Sequence, residues 1–281
     1  MQTQVSLQAA VPIIYGFHEN PFEILGPHEI EQDGRRALAV RAFFPEAQRA
    51  WIVDPAQGAA RPMRRIHPAG LYEVVCPPDT LARCDRNGSA SVAPCRVPSG
   101  RLPAPCHYQL RVTYKSGETH TMHDPYAFAP MLTDYDLHLL GEGTHWRSYE
   151  RLGAHLRTVD GVTGVNFAVW APNAENIAVI GDFNMWDRRS HMMRKHIPSG
   201  VWELFIPGIG VAAKYKFAVK YRGGHVVEKC DPLFNHAIVQ PVLHSFVTPP
   251  RFTSGTSCEV KEANVLDPAQ PTITFLDVCT D

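Results

Sequence analysis

No stretch of this chain approaches the roughly 20 apolar residues of a membrane-spanning helix. Charge of one sign is equally scarce: 27 Lys and Arg stand against 28 Asp and Glu, a formal net charge of −1. That balance leaves no electrostatic footprint for nucleic acid or an anionic membrane, and no partner of either kind is expected. Close cysteine pairs are missing as well. Cys76, Cys84, Cys95 and Cys106 lie far apart, and none forms the C-x₂-C pair that aims two thiolates at one zinc ion. The 14 His are scattered singly, among them His18, His28, His67, His120 and His123, without an H-E-x-x-H pair. No metal and no cofactor are therefore expected. The Gly141–Gly143 turn is too short for a phosphate loop, and no Walker pattern occurs. The first residues carry no basic cluster ahead of an apolar core, so no signal peptide is expected and the cytoplasm is the expected location.

What the chain does have is 281 residues, 44 % of them hydrophobic, with 24 Pro and 20 Gly. That is enough for two ordinary packed domains, and frequent turn-formers favour many short strands over long helices. No window keeps a 3.6-residue apolar period over a dozen positions.

The chain also repeats itself. VRAFFPEAQRAWIVD (40–54) matches FAVWAPNAENIAVIGD (167–182). MRRIHPAGLYEVVCP (63–77) matches MRKHIPSGVWELFIP (193–207), and YQLRVTYKSGETHTMHDPYAF (108–128) matches YKFAVKYRGGHVVEKCDPLFN (215–235). Order is kept, and Tyr108 precedes Asp124 by the same 16 positions by which Tyr215 precedes Asp231. Internal repetition of this kind implies one fold used twice. Alternating Val- and Ile-rich runs between turn signals make each copy an antiparallel sandwich of about seven short strands, immunoglobulin-like in architecture. An all-β chain is expected, with an N-terminal sandwich over 16–130 that carries a loop insertion at about 77–106. A connector over 131–161 is expected to pack between the units through Leu137, Leu139, Leu140, Trp146, Tyr149 and Leu152. A second sandwich occupies 162–240, and a loop-like divergent tail 241–281.

GDFNMWD (181–187) sets Phe183 and Trp186 among the turn-formers Gly181, Asp182, Asn184 and Asp187. A Trp on a turn offers a wide rigid face and one N–H donor, the equipment for stacking on a sugar ring. In KYKFAVKY, alternation turns Tyr215 and Phe217 to one face and Lys216 to the other. Trp202 alternates with Leu204 and Ile206, which makes it a core or half-core residue ahead of a ligand contact. Trp170 and Trp51 read as core, Trp51 because it aligns with Ile177. The first unit has VDPAQG where the second has the Trp186 turn, so it is expected to act as a spacer or docking domain.

HENPFEILGPHEI (18–30), HDPYAFAPML (123–132), DLHLLGEGTHWRSYERLGAH (136–155) and the GVNFAVWAPNA…GDFNMWD stretch resemble the N-terminal half of bacterial-type 1,4-α-glucan (glycogen) branching enzyme. The second unit is similar to a family 48 carbohydrate-binding module. The resemblance implies binding of α-glucan or glycogen by a monomer. It places Trp186, Lys216 and Asn184 at the sugar, with His225 near the position where related glycogen-binding modules, such as that of AMP-activated kinase β subunits, carry a second stacking Trp. Trp202 completes the candidate set. In that family the catalytic Asp and Glu lie in a following (β/α)₈ barrel of glycoside hydrolase family 13. Such a barrel takes about 250 residues, and 41 follow Gln240. Asp267 and Asp277 stand there as lone acids, so this stretch by itself, read as truncated, is expected to lack catalytic residues and transferase activity. Two other readings remain open: a non-catalytic glycogen-targeting scaffold subunit, and the N-terminal part of a related debranching or trehalose-releasing enzyme.

Overall fold

The computed structural model describes residues 7–32, 35–55, 58–76 and 108–231, together with four short strands beyond residue 236. The expected insertion at 77–106 lies outside the described residues, as does most of the tail. The chain begins with α1 (Leu7–Tyr15), then β1 (Gly26–Gln32), β2 (Arg35–Phe43), β3 (Ala47–Val53), β4 (Ala60–Pro62), β5 (Arg64–His67), β6 (Leu71–Cys76), β7 (Gln109–Tyr114) and β8 (Thr119–His123). After α2 (Asp134–Glu142) come β9 (Gly153–Val159), β10 (Val162–Trp170), β11 (Ala174–Gly181), β12 (Arg194–His196), β13 (Val201–Pro207), β14 (Lys214–Tyr221) and β15 (Val226–Lys229).

The first unit is a sandwich of two antiparallel sheets, β1-β2-β6-β5 and β4-β3-β7-β8. Inward-facing Leu38, Val40, Tyr72, Ile52, Leu110 and Val112 from both sheets fill its core. The second unit repeats the plan, with β12-β13-β10-β9 facing β11-β14 and its neighbour β15. Beyond it, β16 (Ala237–Ile238) and β17 (His244–Phe246) extend the β14 sheet, and β18 (Val260–Glu262) pairs with β19 (Phe275–Asp277).

The equal Tyr-to-Asp spacing has a physical cause. The Tyr108 hydroxyl donates to the Asp124 carboxylate at 2.5 Å, and the Tyr215 hydroxyl to Asp231 at 2.7 Å. All four residues are buried. Each pair ties the first strand of a hairpin to the residue just past its return strand, and a buried carboxylate needs such a partner. Tyr72 and Trp202, at matching places in β6 and β13, likewise donate to backbone carbonyls, of Ala47 at 2.8 Å and of Ala171 at 3.0 Å.

Two short helices depart from the strand-only expectation. In α1, Ala10, Ile13 and Ile14 recur at helical spacing, but over nine residues containing Pro12 the period is too brief to read from sequence. These side chains join Phe22 and Leu25 in the core of the second sandwich, which also takes in Phe43 and Leu71 from the first. In α2, Thr133 and Asp136 form a capping box, and Gly143 ends the helix in the left-handed region at φ 73°. Leu140, Leu152 and Leu132 pack on Ala168 and Val201 of the second unit. Burial opposes charge on Asp136, yet Thr133, His145 and Arg151 hold its carboxyl at about 2. The contacts of Leu132, Leu140 and Leu152 are with the second unit rather than between the two, and the last part of 131–161 is β9, the edge strand of the second unit's sheet. Trp146 and Tyr149 do not help it pack, being 95 % and 59 % exposed.

Candidate carbohydrate-binding surface

Gly181 ends β11 with its Cα so close to β14 that a Cβ would stand 2.3 Å from the Lys214 carbonyl oxygen. Glycine is therefore required at this close approach. The chain then turns through Met185 and Trp186, both left-handed at φ 54° and 59°. Neither residue type favours that region, so the side chains around the turn must hold it. Asn184 does most of this work. Its Oδ1 accepts from Gly181 N at 2.9 Å, and its Nδ2 donates to Val179 O at 2.8 Å and to His191 Nδ1 at 2.9 Å. Desolvation by the packing around it pushes the His191 imidazole down to about 4, which keeps it neutral and able to accept. The His191 ring also meets Phe183 edge-on at 5.6 Å. Arg189 clamps Asp187 through two nitrogens, and this clamp lowers the Asp187 carboxyl although burial works against its charge.

The result is a partly exposed indole over the outer face of the β11-β14-β15 sheet. Trp186 Nε1 donates to Asp182 Oδ1 at 3.0 Å. Lys216 Nζ lies 5.9 Å from the centre of the indole and 3.4 Å from Glu228 Oε2. Lys216 is nearly buried while Glu228 is 56 % exposed. Ala218, two residues along β14 from Lys216, pairs with Glu228, so Lys216, Ala218 and Glu228 share one face. An aromatic plane, an ammonium and a carboxylate within one shallow surface can stack on a neutral sugar ring and bond its hydroxyls.

The structure thus brings Trp186 and Lys216 together and separates the other three candidates from them. Asn184 is buried, and both of its N–H groups are spent inside the turn, so it holds the platform from below. Trp202 is fully buried with its N–H on Ala171 O; its place is the core. His225 is exposed but sits on the β14–β15 hairpin, beyond Tyr221. Because Tyr221 pairs with Ala174 and Tyr215 with Gly181, the hairpin lies at the far end of β14, about 17 Å along the strand from Lys216. Two further Trp expectations are corrected. Trp170 is 55 % exposed, because β10 runs one residue past the core. Trp51 faces outward: it pairs with Arg111 as Ala178 pairs with Ala218. Its true counterpart is Ala178, and a slip of one residue reverses the face. Sequence reading missed Asp182, His191 and Glu228. The only advance signal was the outward alternation of Glu228.

Residues 151–233 match the family model described as carbohydrate-binding module 48 (isoamylase N-terminal domain). Residues 7–86 match that of alpha-1,4-glucan branching enzyme GlgB, N-terminal domain. The chain is 44 % identical over 237 residues to 1,4-alpha-glucan branching enzyme GlgB of Thermosynechococcus vestitus, covering 84 % of this chain and 28 % of that protein. It is 39 % identical over 248 residues to the GlgB of Rhodopirellula baltica, covering 88 % and 31 %. The match to GlgB of Synechococcus elongatus, 38 % over 278 residues, covers 98 % of this chain and 33 % of the relative, and so runs past residue 240 into the stretch expected to diverge. The chain spans a third or less of the length of these curated relatives. Among solved structures, pullulanase type I from Bacillus subtilis str. 168 complexed with maltose is 15 % identical with a TM-score of 0.31, covering 85 % of this chain and 29 % of that one; so weak a likeness carries no argument. The chain thus matches the N-terminal region of 1,4-alpha-glucan branching enzymes, with the GlgB N-terminal domain model over 7–86 followed by the carbohydrate-binding module 48 model over 151–233.

Proposed function

We propose that the second sandwich binds α-glucan, glycogen above all, and that Trp186 stacks on the sugar while Lys216 and Glu228 bond its hydroxyls. The observation that carries this reading is the Trp186 turn: a left-handed, side-chain-braced tip that leaves an indole partly exposed on the sheet's outer face. The relatives' name supplies the substrate class, an α-1,4-glucan chain that a branching enzyme rebuilds with α-1,6 links. In such an enzyme the module raises the effective concentration of glucan beside the catalytic residues without doing chemistry itself. The residues described here supply binding, act as a monomer in the cytoplasm, and transfer no glucan on their own. The units are divided as the sequence suggests: sandwich to 130, connector to 161, module to 240, then the tail.

Affinity electrophoresis of the 281-residue chain in gels with and without glycogen tests the reading, with Trp186→Ala alongside. Glycogen should retard the wild type, and the variant should lose most of that retardation, a weakening of about tenfold for one stacking ring. A folded Trp186→Ala protein that is retarded like the wild type would reject the assignment of Trp186.

A further inference from the structure

We propose a second α-glucan subsite at the end of the module remote from Trp186: a groove across the Ile197–Pro198 loop with the Trp170 ring as its platform. The proposal rests on the reading of the module as a glucan binder and adds a second place where it binds. β10 is buried from residue 164 to residue 169 and then emerges at Trp170, so this ring is not needed in the core. Its N–H donates to Ser199 O at 3.1 Å, which pins the indole while leaving it 55 % exposed. Ser199 also lines a hollow of about 450 Å³ together with Asp134, His138 and Glu142 of α2. Ile197, 80 % exposed, forms the rim. On its other side lies a second hollow of about 450 Å³, where Asn20, Glu23 and Lys195 stand beside Phe17.

The chemistry of the groove selects its ligand. Exposed apolar surface at Trp170 and Ile197 alternates with acceptors and donors of both kinds, as a polymer of neutral sugars requires. Asp134, Glu142 and Glu23 disfavour phosphates and other anions. Two hollows that share Ile197 as their rim suit a chain of several rings. The groove and the Trp186 surface lie at opposite ends of β11, about 25 Å apart along the strand. One branched glucan particle can reach both, which multiplies avidity without new contacts.

The test is titration of the 281-residue chain with maltoheptaose by calorimetry. The wild type should bind two ligands, and Trp170→Ala and Trp186→Ala should each bind one. Two sites retained in Trp170→Ala, or a single wild-type site abolished by Trp186→Ala, would overturn the proposal and leave the Trp186 reading standing. A single site lost in Trp170→Ala but kept in Trp186→Ala would support the groove and reject Trp186. Because Trp170 also anchors Ser199, the double variant His138→Ala, Glu142→Gln on the exposed face of α2 provides an independent arm. It should weaken the groove site about fivefold and leave the other unchanged; an unaltered groove affinity would overturn the proposal.

Discussion

The His191 imidazole makes the Trp186 turn sensitive to acid in a calculable way. It is partly buried within the turn, its Nδ1 accepts from Asn184, and desolvation lowers its affinity for a proton from the ordinary 6.5 to about 4, against the opposing pull of Asp187. The unfolded chain therefore binds a proton that the folded chain refuses. Stability is full above about pH 6.5, is lost as the pH falls from there, and stops falling below about pH 4. A depression of this size corresponds to about 3 kcal/mol in all, of which about 1 kcal/mol is gone by pH 5.5 and about 2.5 kcal/mol by pH 4.5. Other groups titrate over the same range, so the quantity to measure is the difference from a variant that cannot titrate. His191→Asn is suitable, because the Asn side-chain oxygen falls near the Nδ1 position and can still accept from Asn184. Urea unfolding of both proteins at pH 7, 5.5 and 4.5 should show the wild type losing about 2.5 kcal/mol more than the variant over this interval. Parallel stability curves would refute the reasoning, and would mean that the folded protein takes up the proton on His191 without cost.

Asn184→Ala should be costly twice over. It leaves Gly181 N, Val179 O and the His191 acceptor without their partner in a buried turn, a loss of about 3 kcal/mol in urea unfolding. It should also weaken glycogen retardation although Asn184 touches no sugar; full retardation in a destabilised protein would show that the turn does not depend on it. Tyr215→Phe and Tyr108→Phe each remove one donor from a buried carboxylate. Each should cost about 1.5–3 kcal/mol, and a loss below about 0.5 kcal/mol for either would undo the claim that the two clamps are equivalent.

Much of the fold was legible because the same physical constraints were written twice. The 16-residue Tyr–Asp spacing, the apolar alternation and the turn residues all report backbone demands that both sandwiches share. What could not be read was which way a ring faces where a strand ends or bulges. The register of β3 against β7 shifts between Ala47 and Arg49, and that of β11 against β14 between Ala174 and Asn176. The two shifts fall at the same place in the repeat, so an unbroken count from Pro45 and Pro172 sets Trp51 against Ala178; aligning it with Ile177 is one residue off, and so on the wrong face. Trp170 was misread for a related reason: alternation fixes its face, but nothing local shows that the core has ended one residue earlier.

The site followed a different logic. Trp186 and Lys216 could be named because an aromatic on a turn and a lysine opposite core residues stand out against local pattern. Asn184 is suggested by its place beside Trp186, His225 by the position of a second stacking Trp in related modules and Trp202 by its ring in an alternating strand, and position along the chain is a poor guide in a sandwich. Two residues one strand apart can share a face, as Lys216 and Glu228 do, while two on the same strand can lie at its opposite ends. Asn184 is the sharper case. It stands two residues from Trp186, yet a left-handed turn has to be braced from beneath, and an amide with two donors and an acceptor is the side chain able to satisfy three buried groups at once. In this turn the polar residue nearest the platform is consumed in building it. On the proposed reading the polar groups that meet the sugar come from the neighbouring strands, where Lys216 of β14 and Glu228 of β15 lie 3.4 Å apart.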